Sequence, residues 1–258
     1  GSDYLHLTPT QSGLDDMVYN DFFIGDDADV VIIAGCGIHN CGDCDSEHDG
    51  VHTFFVGKNA KVTYVEKHYG EGEGTGKRIL NPQTILYLEE GSSVTLETVQ
   101  IKGVDDTKRY TKAVVGENAE FVVQEKLLTH GSQYAESEMD VFLNGKDART
   151  RVISRSVAQD QSVQIFYPRV EGNEKCFGHV QCDAIIMGQR VLQHFIGQNS
   201  KGIYVTHLKE LTEAHESVVS MRAMLDEQGK QNHKIVRKEA EDIACAINQV
   251  NKYRLKYE

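Results

Sequence analysis

The chain has 258 residues, 40% hydrophobic and 26% charged, the proportions of a soluble globular protein long enough to bury a real core. Its 39 acidic against 27 basic residues give a formal charge of −12, which repels phosphate backbones and acidic membrane surfaces, so neither nucleic acid nor a membrane is an expected partner. Six cysteines are too few for a disulfide framework, no apolar run is long enough to cross a bilayer, and no N-terminal segment reads as a secretory signal; a cytoplasmic protein with reduced thiols is expected.

Five segments share one pattern: a glycine, two mostly polar residues, a small residue, then alternating apolar positions. They begin at Gly25, Gly57, Gly91, Gly116 and Gly145, the third being one residue shorter. Each reads as a turn, since Gly, Asn and Asp tolerate positive φ. Each leads into a strand, because Val62 and Tyr64, Val94 and Leu96, Phe121 and Val123, and Val152 and Ser154 alternate along one face. The glycine spacings of 32, 34, 25 and 29 fit stacked repeats. They are shorter than a propeller blade and wider than the turn spacing of an antiparallel sandwich. A mainly β protein, a parallel β-helix over residues 1–200, is therefore expected.

Beyond residue 200 the character changes. Between residues 208 and 257 there is no proline and one glycine, Gly229. Leu208, Leu211, His215, Val218, Met221 and Leu225 recur at helical steps, and Ile235, Ala240, Ile243, Ile247 and Val250 suggest a second helix. A C-terminal α-helical segment over 201–258 is predicted.

Reactive side chains concentrate in two places. The first runs from Cys36 through His39, Cys41, Cys44, Asp45 and His48 to His52; Cys41 and Cys44 have the two-residue gap that can close a thiolate pair on a metal, but no second pair follows. It reads either as a zinc or cluster site or as a polar loop with incidental thiols. The second is Cys176, His179 and Cys182, where a thiolate could accept sulfur or bind iron, or Cys182 could be a core cysteine. The glycine-rich stretch 70–77 fails as a phosphate loop: Glu71 stands where the Walker pattern needs glycine, and Arg78 where it needs Ser or Thr. It reads as a mobile loop between strands.

The strings Val18-Tyr-Asn-Asp-Phe-Phe-Ile-Gly, Ala34-Gly-Cys-Gly-Ile-His-Asn, Tyr64-Val-Glu-Lys-His-Tyr-Gly and Gly178-His-Val-Gln-Cys-Asp-Ala-Ile-Ile-Met resemble, in order, the SufB/SufD family. The resemblance implies a right-handed parallel β-helix flanked by helices, working with a SufC-type ABC ATPase. It matches Cys182 to the family's essential assembly thiol and His215-Glu216 to a His-Glu pair at the start of the helical tail. Two departures stand out: the segment 189–212 lacks the family's Ile-Pro-Glu motif, and His68 stands where longer SufB chains carry a cysteine that receives sulfur.

The resemblance thus implies a scaffold and sulfur-accepting subunit of SUF-type iron–sulfur cluster assembly, itself not an enzyme. Its cargo would be a transient Fe–S cluster on Cys182, His215 and Glu216, with Cys41 and Cys44 as further candidate metal ligands. A cysteine desulfurase would supply sulfur, and the chain would be a homodimer. Two rivals are a purely structural SufD-like subunit and a β-helix enzyme acting on acidic polysaccharide, the latter disfavoured by the negative charge.

Overall fold

The computed structural model describes residues 13–187, together with the backbone of two short flanking strands, 2–7 and 192–195. Along the chain the strands are β1 (Ser2–Leu7), β2 (Asp15–Ile24), β3 (Asp29–His39), β4 (Ser46–Val56) and β5 (Lys61–Glu71). Then come β6 (Arg78–Leu80), β7 (Gln83–Leu88), β8 (Ser93–Lys102), β9 (Asp106–Val115) and β10 (Glu120–Thr129). The series ends with β11 (Tyr134–Leu143), β12 (Arg149–Gln159), β13 (Val163–Gly172), β14 (Phe177–Met187) and β15 (Leu192–Phe195). No helix occurs among the described residues, and the predicted helical tail lies outside them.

Strands alternate between two sheets. One has the order β1-β3-β5-β8-β10-β12-β14; the other runs β15-β13-β11-β9-β6-β4-β2, with β7 between β4 and β9. All pairings are parallel, so each strand meets its equivalent one coil away, and the fold is a parallel β-helix. The expected architecture is present.

Strict alternation decides what lies inside. In β12 and β13 every second residue is buried, and the inward positions of successive coils stack in register. In the first sheet Tyr64, Leu96, Val123, Val152 and Val180 form one such file; in the second, Phe54, Leu86, Ala113, Val141 and Val170 form another. These files fuse into one apolar core. Each fully buried aliphatic or aromatic side chain contributes about 1.5–3 kcal/mol.

The repeated turns behave differently from the sequence expectation. The left-handed conformation belongs to Asp27, Asn59, Asn118 and Asp147, not to the glycines two positions earlier. Three of those glycines are needed for space: a Cβ on Gly57 would sit 2.8 Å from the Asp26 amide of the previous coil, one on Gly116 would sit 2.7 Å from the Leu88 carbonyl oxygen, and one on Gly145 would strike the Glu117 amide, whereas Gly25 has open space around it. In the third repeat Gly91 itself takes the left-handed position, with φ +70°. It therefore aligns with Asn59, as the pairing of Lys61 with Ser93 requires. The apparent irregularity of that repeat was a misalignment of two residues.

The glycine-rich stretch is also a matter of stacking. Gly72, Gly74 and Gly76 lie against the backbone of Asn40, Gly42 and Cys44 in the coil before, where any side chain would collide. Two hydrogen bonds, Gly74 N–H to the Asn40 carbonyl at 3.0 Å and Gly76 N–H to the Gly42 carbonyl at 3.1 Å, join the loops. The expected mobile loop is instead a packed layer.

Candidate functional site

One end of the coil interior is polar. In the first sheet the inward positions beside the apolar file are Ala34, Glu66, Thr98, Glu125, Ser154 and Cys182, stacked in register from coil to coil. Parity forces them inward, and their chemistry forces them to find partners there, since an unpaired buried polar group costs about 1–3 kcal/mol.

They find them in a continuous string. His52 on β4 meets the Tyr64 hydroxyl through Nδ1 at 2.5 Å, and that hydroxyl donates to Glu66 Oε1 at 3.1 Å. Glu66 Oε1 lies 3.4 Å from His68 Nε2. Arg109, reaching in from β9 of the second sheet, donates to His68 Nδ1 at 2.7 Å, to Glu125 Oε1 at 2.7 Å and to Thr98 at 3.1 Å. Ser154 closes the string by donating to Glu125 Oε2 at 2.6 Å. Cys182 is the next inward residue after Ser154.

Two buried carboxylates thus share one buried guanidinium. Burial alone would push the Glu66 carboxyl up; His68, His52 and Arg109 together outweigh it and hold the group at about 2. Burial pushes His68 and His52 down despite Glu66, and drives the Tyr64 phenol well up. The string at neutral pH therefore holds an ionised Glu66, a guanidinium and neutral imidazoles.

Cys36 sits against this string. It is buried on β3, in register with His68, and its thiol is pushed up by burial first and by Glu66 second. One donor atom each from Cys36, Glu66 and His68 lie within 4.8 Å of one another, the one such group of three among the described residues. The imidazole is poorly set for a metal, however. Arg109 can only donate, so His68 Nδ1 accepts and the ring proton falls on Nε2, toward Glu66. His68 acts as a bridge between guanidinium and carboxylate.

Cys182 stands at the far end, on β14, the last strand of its sheet. It is half-buried and packs on the end of the apolar core. Burial, then the carboxylates of Glu125 and Asp183, push its thiol up to about 12. The cluster Cys176, His179 and Cys182 comes apart in the structure. Cys176 is part of the apolar core, and strand alternation puts His179 on the opposite face from Cys182. His215 and Glu216 lie outside the described residues.

The first cysteine cluster is likewise divided. Cys36, His48 and His52 are buried strand residues, whereas Cys41 and Cys44 are exposed on the loop between β3 and β4. Buried Asn40 staples that loop, donating to the Cys44 carbonyl at 2.8 Å and accepting from the Gly42 amide at 2.9 Å. Cys41 Sγ lies 3.0 Å from His39 Nε2, but neither Cys41 nor Cys44 belongs to the group of three donors.

Sequence reasoning passed over Tyr64, Glu66, Arg109, Glu125 and Ser154. The signal was phase: Glu66 and His68 share parity with Val62 and Tyr64, as Glu125 does with Phe121 and Val123.

Residues 21–196 match the family model of the SUF system FeS cluster assembly SufBD core domain. An iron–sulfur cluster assembly SufBD family protein of Archaeoglobus fulgidus is 22% identical over 172 residues, covering 67% of this chain and 45% of that protein. A SufBD family protein of Methanothermobacter thermautotrophicus is 25% identical over 175 residues, covering 64% of this chain and 41% of its own length. The matched stretch is thus less than half of either relative. It takes in nearly every described strand and the whole polar string, and the chain belongs to the SufBD family of iron–sulfur cluster assembly proteins.

Proposed function

We propose that the chain is a scaffold and sulfur-accepting subunit of a SUF-type assembly complex, with Cys182 as the accepting thiol. The observation that carries this reading is the position of Cys182: it ends a continuous buried file of hydrogen-bonding groups and lies on the terminal strand of its sheet. In the transfer step the Cys182 thiolate attacks the outer sulfur of a donor persulfide. A new S–S bond forms on Cys182, the donor's S–S bond breaks, and the donor leaves as thiolate. A cysteine desulfurase fits the donor role.

A thiol held at about 12 is protonated at neutral pH and so resists oxidation in the resting protein. Positive charge arriving at the coil end, iron above all, would offset Glu125 and Asp183 and release the proton. His215 and Glu216 serve in this reading as further ligands of the cluster, and a SufC-type ATPase bound to the tail supplies the energy. The assembly is a homodimer bound to its ATPase.

The same raised thiol, packed on the core end, favours a second reading in which this is a structural SufD-like subunit. Anaerobic reconstitution with iron and sulfide separates the two. The scaffold reading expects Cys182→Ser to lose most of the cluster absorbance and all persulfide labelling at that position. Equal absorbance in both proteins removes Cys182 from the mechanism and leaves the structural role.

A further inference from the structure

Three buried imidazoles, those of His48, His52 and His68, carry an Nε2 with no hydrogen-bond partner among the described residues; that of His68 faces Glu66 Oε1 at 3.4 Å. The other two, His48 and His52 on β4, are each 1% exposed. Such atoms are rare in native interiors and call for an explanation. Those of His48 and His52 both lie beside one position. The Cβ position that Gly50 leaves empty is 3.4 Å from His52 Nε2 and 4.0 Å from His48 Nε2. Gly50 is itself an inward residue of the strand, so the missing side chain opens a gap inside the coil between the two rings.

Their tautomers are set by what lies behind them. Asp16 Oδ2 is 3.1 Å from His48 Nδ1, and a carboxylate can only accept, so in the neutral ring the proton is on Nδ1 and Nε2 carries the lone pair. Tyr64 donates its hydroxyl proton to Glu66, so its oxygen accepts from His52 Nδ1–H, and His52 Nε2 carries its lone pair in the same way. Each ring is therefore backed by a carboxylate, directly for His48 and through Tyr64 for His52. This is the outer-shell arrangement by which proteins orient ligating histidines. It is what His68, with its lone pair turned to Arg109, lacks.

We propose that His48 and His52 bind a divalent first-row transition-metal ion through Nε2 in the gap over Gly50. Imidazole suits Fe²⁺, Co²⁺ and Zn²⁺, and two such ligands leave positions open for water or an incoming donor. The charge is balanced nearby: Glu66 Oε1 is 3.7 Å from His52 Nδ1, and Glu66 Oε2 also lacks a hydrogen-bond partner. Entry has a short route, because β2, which carries half-exposed Asp16, is the terminal strand of its sheet. The site is separate from Cys182 and does not depend on the sulfur-accepting role.

The test is anaerobic titration of the chelator-stripped full chain with Co²⁺, read by its visible ligand-field bands, then back-titration with Zn²⁺. With Cys182→Ser removing the thiol at the other coil end, the chain is expected to take up one ion without sulfur-to-cobalt charge transfer, and adding Cys41→Ser/Cys44→Ser should leave that uptake unchanged. Gly50→Ala plugs the gap while its new methyl meets nothing closer than 3.4 Å, so it should stay folded by circular dichroism and lose the ion. Asp16→Asn, which alters only the backing of His48, should weaken binding about 10–100-fold. Uptake unchanged on adding Gly50→Ala, uptake that vanishes only with the loop cysteines, or no uptake by the Cys182→Ser chain would each overturn the site.

Discussion

The two ends of each coil obey the same geometry and hold opposite chemistry. Toward the tight turns the inward files are Val62, Val94 and Phe121, then Tyr64, Leu96 and Val123, sealed into one apolar core. Two residues further along the same strands the inward files become Glu66, Thr98 and Glu125, met from the second sheet by His52 and Arg109. Alternation places a residue inside; only its identity decides whether that inside is inert or reactive. A β-helix with an ordinary core would have filled both ends with aliphatic residues, since buried ion pairs add little net stability. Charge kept where it adds little net stability is what sets this end of the coil apart from the apolar one.

The sharpest way to break this contrast is to remove the shared cation. Arg109→Met leaves Glu125 without its ion pair and Glu66 without its nearby positive charge, and is expected to cost about 3–5 kcal/mol in denaturant unfolding. Phe121→Ala at the apolar end should cost a similar amount, about 3–5 kcal/mol, through the cavity it leaves. The two differ in rescue. Adding Glu125→Met to Arg109→Met should recover much of the loss, because it removes the stranded charge, whereas no second truncation restores Phe121. Failure of that rescue would mean the polar string is held by shape and not by charge.

Acid sharpens the contrast more gently. His68 and His52 are pushed down by burial, so below the unfolded imidazole pKa, about 6.5, the unfolded chain takes up protons that the folded one refuses. Stability in the presence of chelator should therefore be full above that pH and fall as pH drops through it. Glu66 adds a second window: held at about 2 against an ordinary 4.5, its contribution is present above 4.5 and is lost as pH falls toward 2. His68→Gln, which can still accept from Arg109 and donate to Glu66, should flatten the upper window and, because His68 is foremost among the groups that hold Glu66 low, narrow the lower one as well. A profile identical to wild type would show that His68 titrates normally in the fold.

Much of this was open to a reader of the sequence. The turn signals and alternating strands imply a parallel coil, and the same parity that puts Val62 and Tyr64 inside also puts Glu66 and His68 there. The site itself was hidden because its members come from different coils. Arg109 meets His68 across 41 residues and Glu125 across 16, and no local spacing rule joins them. Coil length varies as well: equivalent residues Lys61, Ser93, Glu120 and Arg149 are separated by 32, 27 and 29. Register across the loops therefore had to be seen. Short-range cysteine spacing drew the eye to Cys41 and Cys44, which are exposed, and away from Cys36, which is not.

The smallest effect concerns the turns that hold this register. Asn59 has φ +54° and bonds Asp27 of the previous coil through Nδ2 at 3.2 Å, while Gly91 takes the equivalent left-handed position one coil on. A left-handed residue with an ordinary side chain costs about 1–2 kcal/mol, so Asn59→Ala should lose about that much in urea unfolding. Asn59→Gly keeps the backbone freedom, gives up only an exposed hydrogen bond, and should lose less than half as much. Gly91→Ala should exceed both, since its methyl would lie 2.5 Å from Asn59 Oδ1 in addition to the strained φ. That order, Gly91→Ala above Asn59→Ala above Asn59→Gly, follows only if Gly91 is the partner of Asn59. If Gly91→Ala is instead the mildest of the three, the two turns are not equivalent and the coil register between β5 and β8 has to be redrawn.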